Sequence, residues 1–387
     1  MTTTKTAVAD EFDDIRPVTD SEVPAALASL AANNYFRRAV ERFVKPLPWE
    51  QFTALMGKCK TKDDFQRRII YPVIKRLIDS TTTEMSGAGW ENIPKGRGCL
   101  FISNHRDIVL DAAFLNMLMI DQKKPTTEIA IGDNLLIYPW IEELVRLNKS
   151  FIVKRGVSVR QMLEVSKHLS DYIYDTVNRR EQPAWIAQRE GRAKDSNDKT
   201  QASLLKMLTL HNSSAPGQTL QELHIVPLSI SYEFDPCDYL KAKEFQLKRD
   251  NPSYKKTEAD DIENMYTGIM GFKGRVTFRF GSCITPAVSA IPETTGRNEL
   301  LEETAALIDR EIYRNYTFFP FNYAAYDLMT GTGRFSSRYS GEDISKFNDY
   351  LQQQINKIDV PERDDAFLRE KLIGMYGNTV KNNLDVL

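Results

Sequence analysis

One short stretch of the sequence places a histidine and two carboxylates in an otherwise apolar setting. Residues 101–120 read FISNHRDIVLDAAFLNMLMI, and they include His105, Asp107 and Asp111. A histidine with a carboxylate partner suits general-base catalysis: one ring nitrogen takes a proton from a nucleophile while the other donates to the carboxylate. Ser103 lies upstream within a predicted strand, so a substrate hydroxyl is the more natural nucleophile for such a base.

The same residues also have structural interpretations. A histidine near an aspartate often serves as a cap or lies in a core, and Asp107 is placed to accept hydrogen bonds from free backbone N–H groups at the start of a helix. Asp111 follows one turn later on roughly the same side of that helix. The partner of His105 is therefore Asp111 or Asp107, and the geometry of the loop favours Asp111.

Strands and helices alternate through the middle of the chain. Short apolar segments such as CLFIS (99–103) and SFIVKRG (150–156) are typical of buried strands, and apolar residues recur at helical spacing in segments such as 158–180. The pattern predicts an α/β fold with a largely parallel or mixed sheet flanked by helices. His105 then lies in the turn at the carboxyl end of a strand, where α/β proteins build sites.

Helical segments are predicted on both sides of this region. Pro139 predicts an interruption of the helix at 136–148, the Ser/Thr/Gly-rich stretch 79–98 predicts a linker, and RAKDSND (192–198) predicts a surface loop. We divide the chain into a mobile tail (1–23), an N-terminal helical segment (24–85), an α/β domain (86–290) and a C-terminal helical extension (291–387).

Composition excludes several classes of function. The net charge of −2 gives no overall basic excess, so we expect no nucleic-acid partner. The four cysteines form no CxxC pair, which argues against a zinc knuckle or a disulfide scaffold. The N-terminus has no apolar stretch typical of a signal peptide. No apolar run approaches the roughly 20 residues of a membrane span, so any membrane contact is expected to be peripheral.

Four motifs follow one another along the chain: NHRDIVLD (104–111), FIVKRG (151–156), AQREGR (187–192) and IVPLSI (225–230). Together they resemble the glycerophospholipid acyltransferase family, which includes lysophosphatidic acid acyltransferases. That family has N-H-x4-D, an apolar strand ending in arginine, P-E-G-T-R/S and V-P-hydrophobic. The resemblance covers about residues 98–285, where TFRFGSCITP also resembles the closing strand of the domain.

The resemblance implies roles for individual residues. It makes His105 the catalytic base and Asp111 its orienting carboxylate, with Asn104 beside them in the first motif. The residues it implies for substrate binding are Arg155 and Lys154 for an anionic head group, Glu190, Gly191 and Arg192 for the acceptor, and Pro227 for the shape of the pocket.

This sequence departs from the family pattern in two places. Five residues separate His105 from Asp111 where four are usual, so Asp107 could compete for the histidine. In the third motif Arg189 replaces the usual proline and Arg192 the usual threonine. The additional positive charge suits an anionic head group other than a plain lysophosphatidic acid, or the phosphates of an acyl donor.

The resemblance implies an O-acyltransferase of membrane lipid synthesis. Its donor would be acyl-CoA or acyl carrier protein, acting as a co-substrate, and its acceptor a hydroxyl of a lysolipid or a glycerol-phosphate-like molecule. We expect no metal and no other cofactor, and a peripheral position on the cytoplasmic side of a membrane, held by basic amphipathic N-terminal helices. The alternatives are a non-catalytic lipid or acyl-carrier binding protein and a thioester hydrolase; metal-dependent chemistry is least favoured because no third ligand is evident.

Overall fold

A computed structural model describes residues 11–43 and 47–387 of the chain. Its centre is a seven-stranded sheet, with the strands in the order β1-β7-β6-β2-β5-β3-β4. The strands are β1 (Thr82–Ala88), β2 (Leu100–Ser103), β3 (Glu128–Gly132), β4 (Ser150–Val153), β5 (Ala184–Ala187), β6 (Val226–Tyr232) and β7 (Gly274–Phe280). Only the β6–β7 pair is antiparallel among the pairs of this sheet. The predicted α/β fold with a mixed, largely parallel sheet is confirmed.

Helices precede, interleave with and follow the strands. They are α1 (Val23–Ala32), α2 (Asn34–Phe43), α3 (Trp49–Met56), α4 (Lys62–Phe65), α5 (Tyr71–Thr81), α6 (Leu110–Asp121), α7 (Pro139–Leu147), α8 (Val159–Tyr174), α9 (Ala202–Leu208), α10 (Pro216–Glu222), α11 (Asp238–Asp250), α12 (Glu258–Met270), α13 (Thr285–Ser289), α14 (Arg297–Arg314), α15 (Pro320–Thr330), α16 (Gly341–Asn356) and α17 (Asp365–Leu384). None of the helices in the described ranges has the length and apolar character needed to cross a bilayer.

Two hydrophobic clusters cover the two faces of the sheet. Because side chains alternate along a strand, Leu100 and Ile102 of β2 face one cluster, which includes residues of α8, α9 and α14. Phe101 faces the other, which is dominated by α6. α6 is buried around most of its circumference, which accounts for its almost wholly apolar sequence. β2 is thus held from both sides at the middle of the sheet.

Further clusters anchor the helices at both ends of the described chain. The N-terminal helices pack together and against Leu147 of α7, and α15 to α17 form a fourth cluster with Ala242 of α11. α14 lies on the sheet face with its buried Ile308 and Ile312, although it falls within the predicted C-terminal helical extension. The residues that follow β6 therefore contribute both to the sheet layers and to a separate helical unit.

Three local expectations differ from the structure. The predicted linker contains β1, an edge strand of the sheet paired with β7; its partial burial leaves no alternating apolar pattern to reveal it. Pro139 begins α7 rather than interrupting it, as suits a proline at the first helical position. In the predicted mobile tail, residues 1–10 lie outside the described residues, but Ile15 is 2% exposed and its carbonyl accepts a hydrogen bond from Ile152 N.

Candidate active site

The site lies in the loop between β2 and α6. Asn104 begins this loop and binds the neighbouring strand β6 through both ends of its amide: Nδ2 donates to Ile230 O at 2.9 Å, and Oδ1 accepts from Ile230 N at 2.8 Å. Asn104 is fully buried. The two bonds replace a continuation of the sheet ladder and fix the path of the chain into His105.

His105 and Asp111 are hydrogen-bonded across the loop. His105 Nδ1 lies 2.8 Å from Asp111 Oδ2, and that oxygen also accepts from the backbone N–H groups of Arg106 and Asp107. Because an ionised carboxylate only accepts, Nδ1 is the donor, and in the neutral form of the ring Nε2 then carries the lone pair. The His105 side chain is 13% exposed, and its ring meets Trp185 of β5 edge-on at 5.9 Å.

Asp107 serves the helix rather than the histidine. Its Oδ1 accepts hydrogen bonds from Val109 N at 2.9 Å and Leu110 N at 2.7 Å, and so satisfies donors at the start of α6. Burial and the nearby Asp111 carboxylate raise the pKa of Asp107. Since α6 begins only at Leu110, the residues after His105 form a non-helical loop, and Asp111 reaches the ring despite the longer spacing.

Arg106 turns away from the histidine into a buried ion pair. Its guanidinium binds the Asp198 carboxylate through two hydrogen bonds, of 3.2 and 2.6 Å, and Tyr316 Oη donates to the same carboxylate at 2.6 Å. Asp198 is fully buried. The prediction of a surface loop at 192–198 is therefore wrong: Ala193 and Ser196 are buried, and Asp198 folds inward to neutralise an arginine that the sequence places beside His105.

The two basic residues after β4 point in different directions. Arg155 Nη1 lies 2.9 Å from Glu190 Oε1, so these two predicted binding residues come together at an exposed position. Lys154, one residue earlier, pairs with Asp14, which precedes α1. The Asp14 carboxylate also lies 2.8 Å from His168 Nε2. Successive side chains of an extended backbone point to opposite sides, so Lys154 points away from Arg155 and Glu190.

The third motif, AQREGR (187–192), forms a turn in which the Arg192 side chain points into the protein. Gly191 has φ of +66°, a backbone conformation that glycine adopts without steric cost. Arg192 Nη2 donates to Asn264 Oδ1 of α12 at 2.8 Å. Within the described ranges, the buried atoms Arg192 Nη1 and Arg189 Nε have no hydrogen-bond partner. Arg192 thus contacts α12 instead of extending into solvent.

Pro227 lies inside the sheet. It belongs to β6, is buried, and is paired in register with Ile102 of β2. Its carbonyl accepts a hydrogen bond from Gly281 N at 2.8 Å. The structure therefore places Pro227 within the sheet, beside the strand that leads into the site loop.

Two residues of the site, Gly268 and Tyr232, are not predicted by any pattern in the sequence. Gly268 of α12 packs directly on Asp107, where an added Cβ would lie 2.0 Å from Oδ2, and Tyr232 at the end of β6 is buried near Asp111. Both belong to segments distant in sequence, so only the fold brings them to the loop. Within the described residues, no group of three or more His, Cys, Asp and Glu side chains is arranged to hold a metal ion.

The geometry defines an α/β protein with a hydrogen-bonded histidine–aspartate pair in the loop at the carboxyl end of its central strand. The family model described as Acyltransferase matches residues 86–231, which include β2, the His105 loop and the third motif. This segment is an acyltransferase domain of the glycerophospholipid acyltransferase type, and the resemblance drawn from the four motifs is confirmed. The chain matches no curated protein. The family match ends within β6, so α11, α12 and β7 lie beyond it.

Proposed function

We propose that this protein is an O-acyltransferase of membrane lipid synthesis. It moves a fatty acyl group from an acyl thioester, on coenzyme A or acyl carrier protein, to a hydroxyl of a lysolipid or glycerol-phosphate-like acceptor. The observation that carries the proposal is the 2.8 Å hydrogen bond between His105 Nδ1 and Asp111 Oδ2, located in the first motif of an acyltransferase domain.

The reaction follows from the orientation of the imidazole. His105 Nε2 takes the proton of the acceptor hydroxyl as its oxygen attacks the thioester carbonyl, and Asp111 stabilises the imidazolium that forms. Collapse of the tetrahedral intermediate breaks the C–S bond, and the leaving thiolate receives the proton from Nε2. A positioned base of this kind contributes a factor of about 10² to 10⁴ to the rate, and alignment of the two substrates supplies more.

Arg155 is the residue best placed to bind an anionic group on the acceptor or donor. Its partner Glu190 is 71% exposed at the side chain, and exposed ion pairs contribute only about 0–1 kcal/mol. A phosphate can therefore displace the carboxylate at little cost and gain a bidentate contact with the guanidinium. Lys154, which is paired with Asp14, is a weaker candidate for the same role.

A lipid acceptor requires contact with a membrane, and α12 offers a suitable apolar surface for that contact. Ile262, Tyr266 and Met270 recur along this helix, Phe272 follows it, and all four are exposed. Val109 of the site loop is also exposed. Exposed apolar side chains grouped beside a site favour an interaction surface, and aromatic residues are favourable at a bilayer interface.

Vesicle flotation tests this peripheral contact. Phe272→Asp combined with Met270→Asp should reduce recovery of the protein with phospholipid vesicles. Leu328→Asp combined with Met329→Asp is the matched control, since these residues are also apolar and exposed but belong to α15. If both double variants are recovered with vesicles to the same extent as the wild type, α12 is not the contact surface.

The function itself is tested by acyl transfer in His105→Ala. The matched control is His211→Ala, because His211 Nδ1 also lies 2.8 Å from a carboxylate, that of Asp171, outside the β2–α6 loop. Transfer from acyl-CoA or acyl carrier protein to a panel of hydroxyl acceptors should be lost in the first variant alone. Retained ligand binding without turnover in the wild type would favour the non-catalytic binder, and thioester loss without acceptor would favour a hydrolase.

A further inference from the structure

The two oxygens of the Asp111 carboxylate have unequal surroundings. Oδ2 accepts three hydrogen bonds, from His105 Nδ1 and from the N–H groups of Arg106 and Asp107. Oδ1 is buried and has no hydrogen-bond partner in the described part of the chain. A buried carboxylate oxygen without a donor is costly, and it leaves the carboxylate held at one oxygen only.

The hydroxyl of Tyr232 is the complementary group. Tyr232 is the last residue of β6 and is 8% exposed, and its ring packs against Phe114 of α6. Its hydroxyl is buried and also has no hydrogen-bond partner among the described residues. Burial, together with the carboxylates of Asp111 and Asp107, raises the pKa of Tyr232 well above its ordinary value, so the phenol keeps its proton and remains a donor.

The C-terminal residues close the space around this hydroxyl. Tyr232 lines a small cavity together with Arg106 and with Tyr316, Thr317 and Tyr376 from the chain after β7. Thr317 N donates to Ser231 Oγ, next to Tyr232, at 3.0 Å, which fixes this wall to β6. The Tyr232 hydroxyl itself is buried and does not contact bulk water.

We propose that Tyr232 is a positioning residue for the His105–Asp111 pair: its hydroxyl donates to Asp111 Oδ1 and holds the carboxylate in the orientation that keeps Oδ2 on the imidazole. The inference deepens the proposed function and rests on it. The two groups are close, because the Tyr232 ring packs against Phe114, which lies one turn of α6 after Asp111, and the Asp111 carboxylate is among the charges that raise the pKa of Tyr232. Pairing would satisfy both the buried donor and the buried acceptor, as is normal for polar groups in protein interiors. Tyr232 itself contacts no substrate.

Tyr232→Phe removes the hydroxyl and keeps the ring. Nuclear magnetic resonance of the His105 Nδ1–H proton, identified by its loss in His105→Gln, reads the geometry of the pair without needing activity. We expect this resonance to move and its exchange with water to accelerate. We also expect kcat to fall by about five- to tenfold, the effect of one lost hydrogen bond, with KM within twofold of the wild type.

The matched control is Tyr172→Phe. Tyr172 is another buried tyrosine, and its hydroxyl donates to Glu128 Oε2 at 2.5 Å, so its variant loses a buried hydrogen bond elsewhere. It should leave both the His105 resonance and kcat unchanged. An unaltered Nδ1–H resonance in Tyr232→Phe would overturn the inference, as would an equal change in both variants. A wild type without transferase activity would instead defeat the proposed function, while the resonance would still decide the contact.

Discussion

Gly268 and Asp107 are in direct contact, although 161 positions separate them in the chain: a Cβ on Gly268 would lie 2.0 Å from Asp107 Oδ2. One oxygen of the Asp107 carboxylate accepts hydrogen bonds from the start of α6, and α12 packs against the other. The absence of a side chain at residue 268 therefore sets how closely α12 approaches the loop that carries His105.

Gly268→Ala should disturb this contact. The added methyl group must displace Asp107 or α12, and overpacking of a buried site typically costs about 1–3 kcal/mol. We expect a lower free energy of unfolding and reduced acyl transfer. Denaturant unfolding followed by circular dichroism measures the first effect.

Gly217→Ala is the control for that substitution. Gly217 lies in α10, where the nearest atom to an added Cβ is 3.7 Å away, so alanine should change stability by no more than about 1 kcal/mol, in the favourable direction. If Gly268→Ala is as stable and active as Gly217→Ala, α12 does not constrain the loop.

Asp198→Asn should strongly destabilise the protein. The change leaves the buried guanidinium of Arg106 without its neutralising charge, and breaking a buried ion pair costs about 3–5 kcal/mol. Thermal unfolding should reveal a large decrease in midpoint. Asp195→Asn in the same loop is the comparison, because Asp195 is only half-buried; similar midpoints for the two variants would contradict the importance of the Arg106 pair.

Asp238 should make stability depend on pH. Burial and the nearby Asp235 raise its pKa to about 7, whereas the unfolded chain releases this proton near the ordinary value of about 3.9. Between these values the folded state binds more protons than the unfolded state, so this group makes stability fall as pH rises from about 4 to about 7.

Asp238→Asn removes that contribution while keeping an acceptor for the hydroxyls of Tyr350 and Tyr376, which both bind Asp238 Oδ2. The difference in unfolding free energy between the variant and the wild type should grow in favour of the variant across this pH range. Chemical denaturation at pH 5, 6, 7 and 8 gives the comparison, and parallel profiles would disprove the titration of Asp238.

Arg155→Ala and Lys154→Ala should separate the two basic residues after β4. Loss of a charge-assisted contact to phosphate should raise KM for a phosphate-bearing substrate about tenfold or more in Arg155→Ala, with little change in stability because its ion pair is exposed. Lys154→Ala should leave KM within about twofold. An equal rise in both variants would place the anion between them.

The sequence predicts the parts of the site that are local. The apolar strand, the turn and the helix of residues 100–121 are strong local signals. The position of His105 after the strand and that of Asp111 in the first turn of the helix follow from them. The hydrogen bonds from the start of α6 to Asp107 follow in the same way, because they involve only the next three residues.

The remainder of the site depends on contacts between distant segments. Tyr232 lies in a strand that is buried along its whole length, so nothing in its local pattern distinguishes it from core. Asp198 belongs to a polar stretch that composition assigns to the surface, and its burial depends on an arginine 92 positions earlier. Gly268 acquires its meaning only when α12 reaches Asp107.

The Asn104–Ile230 pairing has a consequence for how the site is acquired. These partners are 126 positions apart, so the bend that presents the imidazole cannot form before β6 has docked beside β2. Long sequence separation between contacting residues slows folding. Refolded chains should therefore regain catalytic competence together with the last cooperative step of sheet assembly, and an excised peptide of the first motif should show none of this architecture in isolation.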